Sequence, residues 1–230
     1  MNIIKSASDL TKIQKTIWLT SILLISASFI LAGSSDYLTL AASLVGATAL
    51  IFVGKGDAVG QFLTIVFALL YAVISFQCRY YGEMITYVGM TLPSAAVAMI
   101  NWLKNPYSER EVKVAHVNKT CWLILSISAA AVTVVMGKVL EYFGTANLLF
   151  STLSVTTSYF ASMLTILRSP YYAVAYSLND VILIVLWVLA TMENLSYLPM
   201  IACFMVFLVN DLYGFINWQR MKQRQIKGSK

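Results

Sequence analysis

The sequence predicts an all-α, polytopic membrane protein with about eight transmembrane helices. Three observations lead there. Hydrophobic residues make up 59% of the 230 residues and charged residues 11%, with a mean hydropathy of +0.76. A soluble domain of this length could not hide so much apolar surface, so the solvent is lipid. Apolar stretches near the ~20 residues that cross a hydrocarbon core recur along the chain. The chain also repeats itself: slid by 116 positions, residues 38–104 lie on residues 154–220 without a gap.

The expected spans are 16–33, 37–53, 59–77, 83–103, 120–140, 146–166, 171–190 and 197–218. The first follows Lys5, Lys12 and Lys15 and has no cleavage site after it, so it reads as a retained helix and not a signal peptide. The second is the shortest. The fourth carries Pro93 after Gly89, which predicts a kink. The fifth follows a polar loop in which His116 stands alone and reads as a solvated residue. Cys78, Cys121 and Cys203 show no paired or metal-ligand spacing and read as small apolar residues. No metal, cofactor or ATP motor motif is present in the sequence pattern.

The repeat organises these spans. Ile100-Asn101-Trp102 falls on Ile216-Asn217-Trp218, Met84 on Met200, Tyr81 on Tyr197, and Leu70-Tyr71 on Leu186-Trp187. Residues 1–36 form an N-terminal tail and extra helix, and 37–104 a first three-helix repeat. Residues 105–145 form a loop and linker helix, 146–222 a second three-helix repeat, and 223–230 a basic tail. Three helices are an odd number, so the linker helix restores a parallel orientation to the second copy. Parallel repeats place a solute pathway between them.

Charge supplies topology. If every span crosses, one side holds Lys5, Lys12, Lys15, Lys55, Lys104, Arg110, Lys113, Lys119, Arg168, Arg220, Lys222, Arg224, Lys227 and Lys230, and the other only Arg79 and Lys138. The positive-inside rule makes the basic side cytoplasmic, with both termini there, in the plasma (inner) membrane. The net charge of +6 is therefore a topology signal and requires no nucleic-acid partner. The 104–119 loop is placed to meet anionic headgroups.

Polar residues at membrane depth mark the candidate site. Asp180 lies ~14 Å from the cytoplasmic end of its helix at 1.5 Å per residue, with Asn179 before it. Asn210 and Asp211 form a second pair in the last span. Intramembrane acids are costly and face a cavity or a partner. With no Lys or Arg at that depth, each must be protonated, hydrated or bonded to neutral donors. Tyr172, Tyr176, Asn179, Asp180, Leu183 and Trp187 share one helical face, as do Asn210, Tyr213, Gly214 and Asn217. Gln61, Thr64, Ala68, Tyr71 and Ser75 form a thinner stripe in the first repeat. Rings interleaved with amides and carboxyls suit a flat heteroaromatic ring that carries a sugar. The competing reading is that these polar groups only join helices. Trp102 and Trp218 read as interfacial anchors.

Several of these segments resemble the PnuC family of vitamin and nucleoside transporters. They are Asn179-Asp180 through Trp187, Tyr197-Leu-Pro-Met200, and Asn210-Asp-Leu-Tyr-Gly-Phe-Ile-Asn-Trp218. Tyr81-Gly-Glu-Met84 and Asn101-Trp102-Leu-Lys-Asn105 resemble it too, and the likeness spans about residues 37–222. The resemblance implies a SWEET-like arrangement of three, one and three helices, a homotrimer, and nicotinamide riboside as substrate. It implies facilitated diffusion with trapping by a cytoplasmic kinase. One departure stands out. Members specific for nicotinamide riboside carry Trp-x-x-Trp-x-x-x-Asn/Asp, and here those positions read Tyr172, Ala175 and Asn179. Deoxynucleoside, thiamine and riboflavin remain alternatives within the family, as does a proton-coupled mode through Asp180 or Asp211. Outside it stand a non-transporting receptor and a membrane enzyme, and no His, Cys, Ser or metal constellation gathers at depth to favour the enzyme. The substrate-contacting residues expected are Asn179, Asp180, Tyr176, Tyr172, Trp187, Asn210, Asp211, Gln61 and Tyr71.

Overall fold

The computed structural model describes residues 3–33, 35–109 and 111–228. Arg110 and Lys230, counted above among the basic residues, and the side chain of Lys5 lie outside the described residues. Eight helical stretches among those described are long and apolar enough to cross a membrane. A short helix α1 (Ile3–Ser8) precedes α2 (Lys12–Leu31), α3 (Tyr37–Lys55) and α4 (Ala58–Gln77). The next span is broken into α5 (Tyr81–Thr86), a π-helical turn (Tyr87–Thr91) and α6 (Leu92–Lys104). A two-stranded hairpin, β1 (Pro106–Ser108) and β2 (Glu111–Val112), leads to α7 (Lys119–Tyr142). Then come α8 (Leu148–Ile166), α9 (Tyr172–Glu193) and α10 (Leu198–Gly228).

Local chemistry sets the helix starts. Thr11 and Gln14 form a reciprocal capping box on α2. Asp36, Asp57 and Asn118 accept from the free first-turn N–H groups of α3, α4 and α7. The kink expected at Pro93 is spread over the π turn, which lies one turn ahead of the proline and supplies the wider backbone ring that the missing N–H favours. Helix α10 runs ten residues past the expected end at 218, because the basic tail continues the helix out of the apolar zone.

Six helices pack in a closed ring in the order α3, α4, α6, α8, α9 and α10, with α10 returning to α3. The other two stand outside, α2 against α3 and α10, and α7 against α8. Leu125, Ala129 and Leu140 are the buried residues of α7, and Leu123, Ile124, Ile127, Val134 and Val135 are exposed. The outer helices are thus equivalent in position: each precedes, and packs on, the first ring helix of its half.

Hydrogen bonds at the basic end recur between the halves. Gly56 N–H bonds Val53 O and Asp57 N–H bonds Phe52 O. Arg168 N–H bonds Thr165 O and Ser169 N–H bonds Leu164 O. Gly56 and Arg168 both hold positive φ, +80° and +55°. This correspondence is offset by 112, four fewer than the slide that aligns Trp102 with Trp218. At the opposite end the offset is again 116, since Cys78 N–H bonds Ile74 O as Asn194 N–H bonds Ala190 O. The stretch between these two points is therefore four residues longer in the second half: α9 has 22 residues against 20 in α4, and the other two residues lie in the turn before α9. A four-residue slip is close to one helical turn of 3.6 residues, so it keeps the same face inward and leaves the apolar pattern in step.

The halves are clamped across the ring. Trp102 Nε1–H donates to Thr165 O (3.0 Å) and Asn101 Nδ2 to Ile166 O (2.6 Å). Trp218 Nε1–H donates to Val53 O (2.9 Å) and Asn217 Nδ2 to Gly54 O (2.8 Å). Both indoles are buried and their rings lie 5.3 Å apart. The expectation that these tryptophans anchor the lipid interface is thus corrected: they are buried and bond last-turn carbonyls of α8 and α3 in the opposite half. Beneath them the 111–115 segment straps the same end. Val112 N–H bonds Gly56 O, Ala115 N–H bonds Arg168 O, and Gln225 of α10 bonds Val114 N–H and Val112 O.

Candidate functional site

Five of the ring helices, and the π turn that leads into α6, contribute to one internal cavity of about 50 Å³. From α9 come Tyr176, Asn179 and Asp180, from α10 Asp211 and Phe207, and from α4 Gln61, Thr64 and Phe67. Tyr87 and Thr91 reach it from the π turn, Thr165 from α8, and Gly46 with its neighbours from α3. The carboxyls of Asp180 and Asp211 lie side by side, and Asp180 Oδ2 has no hydrogen-bond partner. Among the described residues no Lys or Arg lines the space. Its size admits a few waters, far below the ~300 Å³ of a small-molecule pocket. Solute entry therefore requires the ring helices to separate.

Aromatic layers stand on both sides of it. Toward the opposite end, Tyr71 accepts from Trp187 Nε1–H (3.0 Å) and lies 4.3 Å from Tyr87 between ring centroids. Trp187 also packs edge-on against Tyr80 and Tyr197. Toward the basic end, Tyr172 packs edge-on against Trp218 at 5.0 Å. Small residues let the helices close in: a Cβ on Gly46 would run into the rings of Phe207 and Phe67, and Gly54 faces Gly214.

Five expected site residues thus meet at the cavity: Asn179, Asp180, Tyr176, Asp211 and Gln61. Four do not line it. Trp187 and Tyr71 belong to one aromatic layer and Tyr172 to the other. Asn210 donates to Ser21 Oγ (3.1 Å) of α2 and to Val206 O (2.8 Å), tying the outer helix to α10. The sequence pattern did not single out Tyr87, Thr91 or Thr165, which also line the cavity. The Gly89–Pro93 pair signalled the first two, through the π turn it favours. Thr165 belongs to a stripe of small hydroxyl residues along α8, at Ser151, Ser154, Ser158, Ser162 and Thr165.

Glu83 was also passed over. It is 1% exposed and lies beside Tyr71, Tyr87 and Ser154, and the Ser154 hydroxyl is the one donor near its carboxyl among the described residues.

With that geometry in view, residues 36–220 match the nicotinamide mononucleotide transporter family. The chain belongs to this family. It is a membrane transporter and not an enzyme. It is 26% identical over 216 residues to a nicotinamide riboside transporter, PnuC, of Neisseria mucosa, covering 91% of this chain and 82% of that one. A protein of the same name from Haemophilus influenzae is 21% identical over 213 residues and 91% of each chain. Among solved structures, the crystal structure of the vitamin B3 transporter PnuC superposes with a TM-score of 0.82 at 25% identity, covering 94% of each chain. The family span includes every cavity-lining residue and the ring helices up to residue 220 of α10, and it begins after α2.

Proposed function

We propose that this transporter carries nicotinamide riboside into the cell by facilitated diffusion, and that a cytoplasmic kinase then traps it by phosphorylation. The observation that carries the reading is the ring-centred cavity, where amides and carboxyls meet tyrosine faces. Carboxyl oxygens of Asp180 and Asp211 suit the donor hydroxyls of a ribose, and the rings of Tyr176 and Tyr87 suit a flat base. Asn179 and Gln61 contribute amides. Trp187, Tyr71 and Tyr172 act as layers that must part for passage, and Asn210 as a tie to α2. The basic end faces the cytoplasm, in keeping with the positive-inside rule. The protein works as a homotrimer in the plasma membrane.

The names of the relatives support this substrate. A deoxynucleoside is the second reading, favoured by Tyr172 and Ala175, which leave the cavity without the indole planes that nicotinamide riboside carriers present there. The test is thermal stabilisation of the detergent-solubilised protein by nicotinamide riboside, thymidine, deoxyadenosine, uridine, thiamine and riboflavin, followed by uptake into proteoliposomes. A ligand of the folded state raises the melting temperature by mass action. Stabilisation and uptake with nicotinamide riboside, both lost in Asn179→Ala, are the expected result. Stabilisation by deoxynucleosides alone overturns the substrate. Uptake that changes when the pH gradient is collapsed overturns the uniport.

A further inference from the structure

Three hydroxyls of α8 hold Asn179. Ser154 Oγ, Thr157 Oγ1 and Ser158 Oγ lie 3.1, 2.9 and 3.1 Å from its Oδ1. They occupy positions i, i+3 and i+4 of one helix, so the side chains stand on one face. Each hydroxyl has one hydrogen to donate. Thr157 shares its own with the carbonyls of Leu153 and Ser154, each 3.1 Å away. Ser154 and Ser158 have Asn179 Oδ1 as their hydrogen-bond acceptor among the described residues. Glu83 lies beside Ser154 and is a second acceptor within reach of that hydroxyl.

An amide turned the other way would set its NH₂ against these hydroxyls. The hydrogens of Ser154 and Ser158 would then have to turn to another acceptor, Glu83 for Ser154 or a carbonyl one turn back in α8, and the bonds to Oδ1 would be given up. Oδ1 is therefore occupied by α8. Asn179 lines the cavity, and no described residue accepts from Nδ2, so the N–H donors are what it offers there.

We propose that Ser154, Thr157 and Ser158 are positioning residues that fix Asn179 as a hydrogen-bond donor, so that the transporter recognises a carbonyl oxygen on the heteroaromatic base of its solute. The rest of the cavity supports the assignment. Sugar hydroxyls can donate to the carboxyl oxygens of Asp180 and Asp211. A base carbonyl has no hydrogen and needs a donor. Nicotinamide, thymine, uracil and the flavin ring carry such a carbonyl, and adenine and thiamine do not. The inference rests on the proposal that Asn179 touches the solute.

The experiment compares dissociation constants of the full-length protein for nicotinamide riboside and for the pyridinium riboside that lacks the carboxamide. One oriented hydrogen bond predicts a wild-type preference of about three- to tenfold for the carbonyl-bearing ligand. In Ser154→Ala/Thr157→Val/Ser158→Ala the preference should fall toward unity while the pyridinium riboside binds as before. Thr157→Ser, which keeps the hydroxyl, should stay nearer to wild type than Thr157→Val. If the triple variant does not fold, Ser158→Ala alone gives the same readout at smaller amplitude. A wild-type preference retained without the hydroxyls, but lost in Asn179→Ala, overturns this inference and leaves the proposed site standing. A preference retained in Asn179→Ala overturns the site as well.

Discussion

Replacing Trp218 by Phe tests whether the two halves are clamped by their tryptophans. The substitution keeps an aromatic ring beside Trp102 and Tyr172 and removes the indole N–H, which donates to Val53 O at 2.9 Å. That carbonyl still accepts from Gly56 N–H at 2.9 Å, so it is not left bare. The cost is then one net hydrogen bond plus a small cavity, about 1–2 kcal/mol. For a chain of 230 residues this corresponds to roughly 2–8 °C in melting temperature. Trp102→Phe should cost about the same, because Thr165 O likewise retains a bond from Arg168 N–H, at 3.1 Å. The rings touch, so the double variant should depart from the sum of the singles by about 0.5 kcal/mol or more. The assay is thermal unfolding in detergent, with the cavity-distal Tyr142→Phe as an exposed control. Single variants as stable as wild type, or a strictly additive double, would refute the clamp.

Gly46→Ala places a methyl group against Phe207 and Phe67 and should lower stability by about 1–3 kcal/mol through overpacking; an unchanged melting temperature would mean that the ring helices are not in close contact there. Gln225→Ala removes the side chain that joins α10 to Val112 and Val114, so amide exchange at Val112–Ala115 should speed up about tenfold, and unchanged protection would rule out the strap. Glu83→Met keeps the volume and removes a buried carboxyl whose one nearby donor is Ser154, so the melting temperature should rise, by about 1 kcal/mol or more of stability. A fall would show that bonding in the folded protein outweighs the cost of burying Glu83.

The ends of most spans were readable within a few residues, because lipid demands long apolar runs and penalises charge inside them. The Asn179–Asp180 pair was readable for the same reason: polar groups at that depth stand out against an apolar background. Other features were not readable from pattern. A gapless slide concealed the four extra residues in the second half, since four residues nearly match a helical turn and leave the apolar pattern in step. Trp187 and Tyr71 shared a helical face with the site residues, yet they bond to each other one layer away. A wheel gives direction around the axis and not distance along the pathway. Trp102 and Trp218 looked like lipid anchors until their N–H groups were seen to reach carbonyls of the opposite half.

The sequence by itself determined the solvent, the eight spans, the two related halves and the buried acids, because each follows from hydropathy and from the cost of charge in lipid. Tertiary structure alone decided which polar residues meet. The ring of six helices brought Asp211 to Asp180 and sent Asn210, one residue earlier, to Ser21 of the outer helix. Neighbouring positions on a helix point about 100° apart, so the choice between cavity and outer seam depends on how the packed helices are rotated.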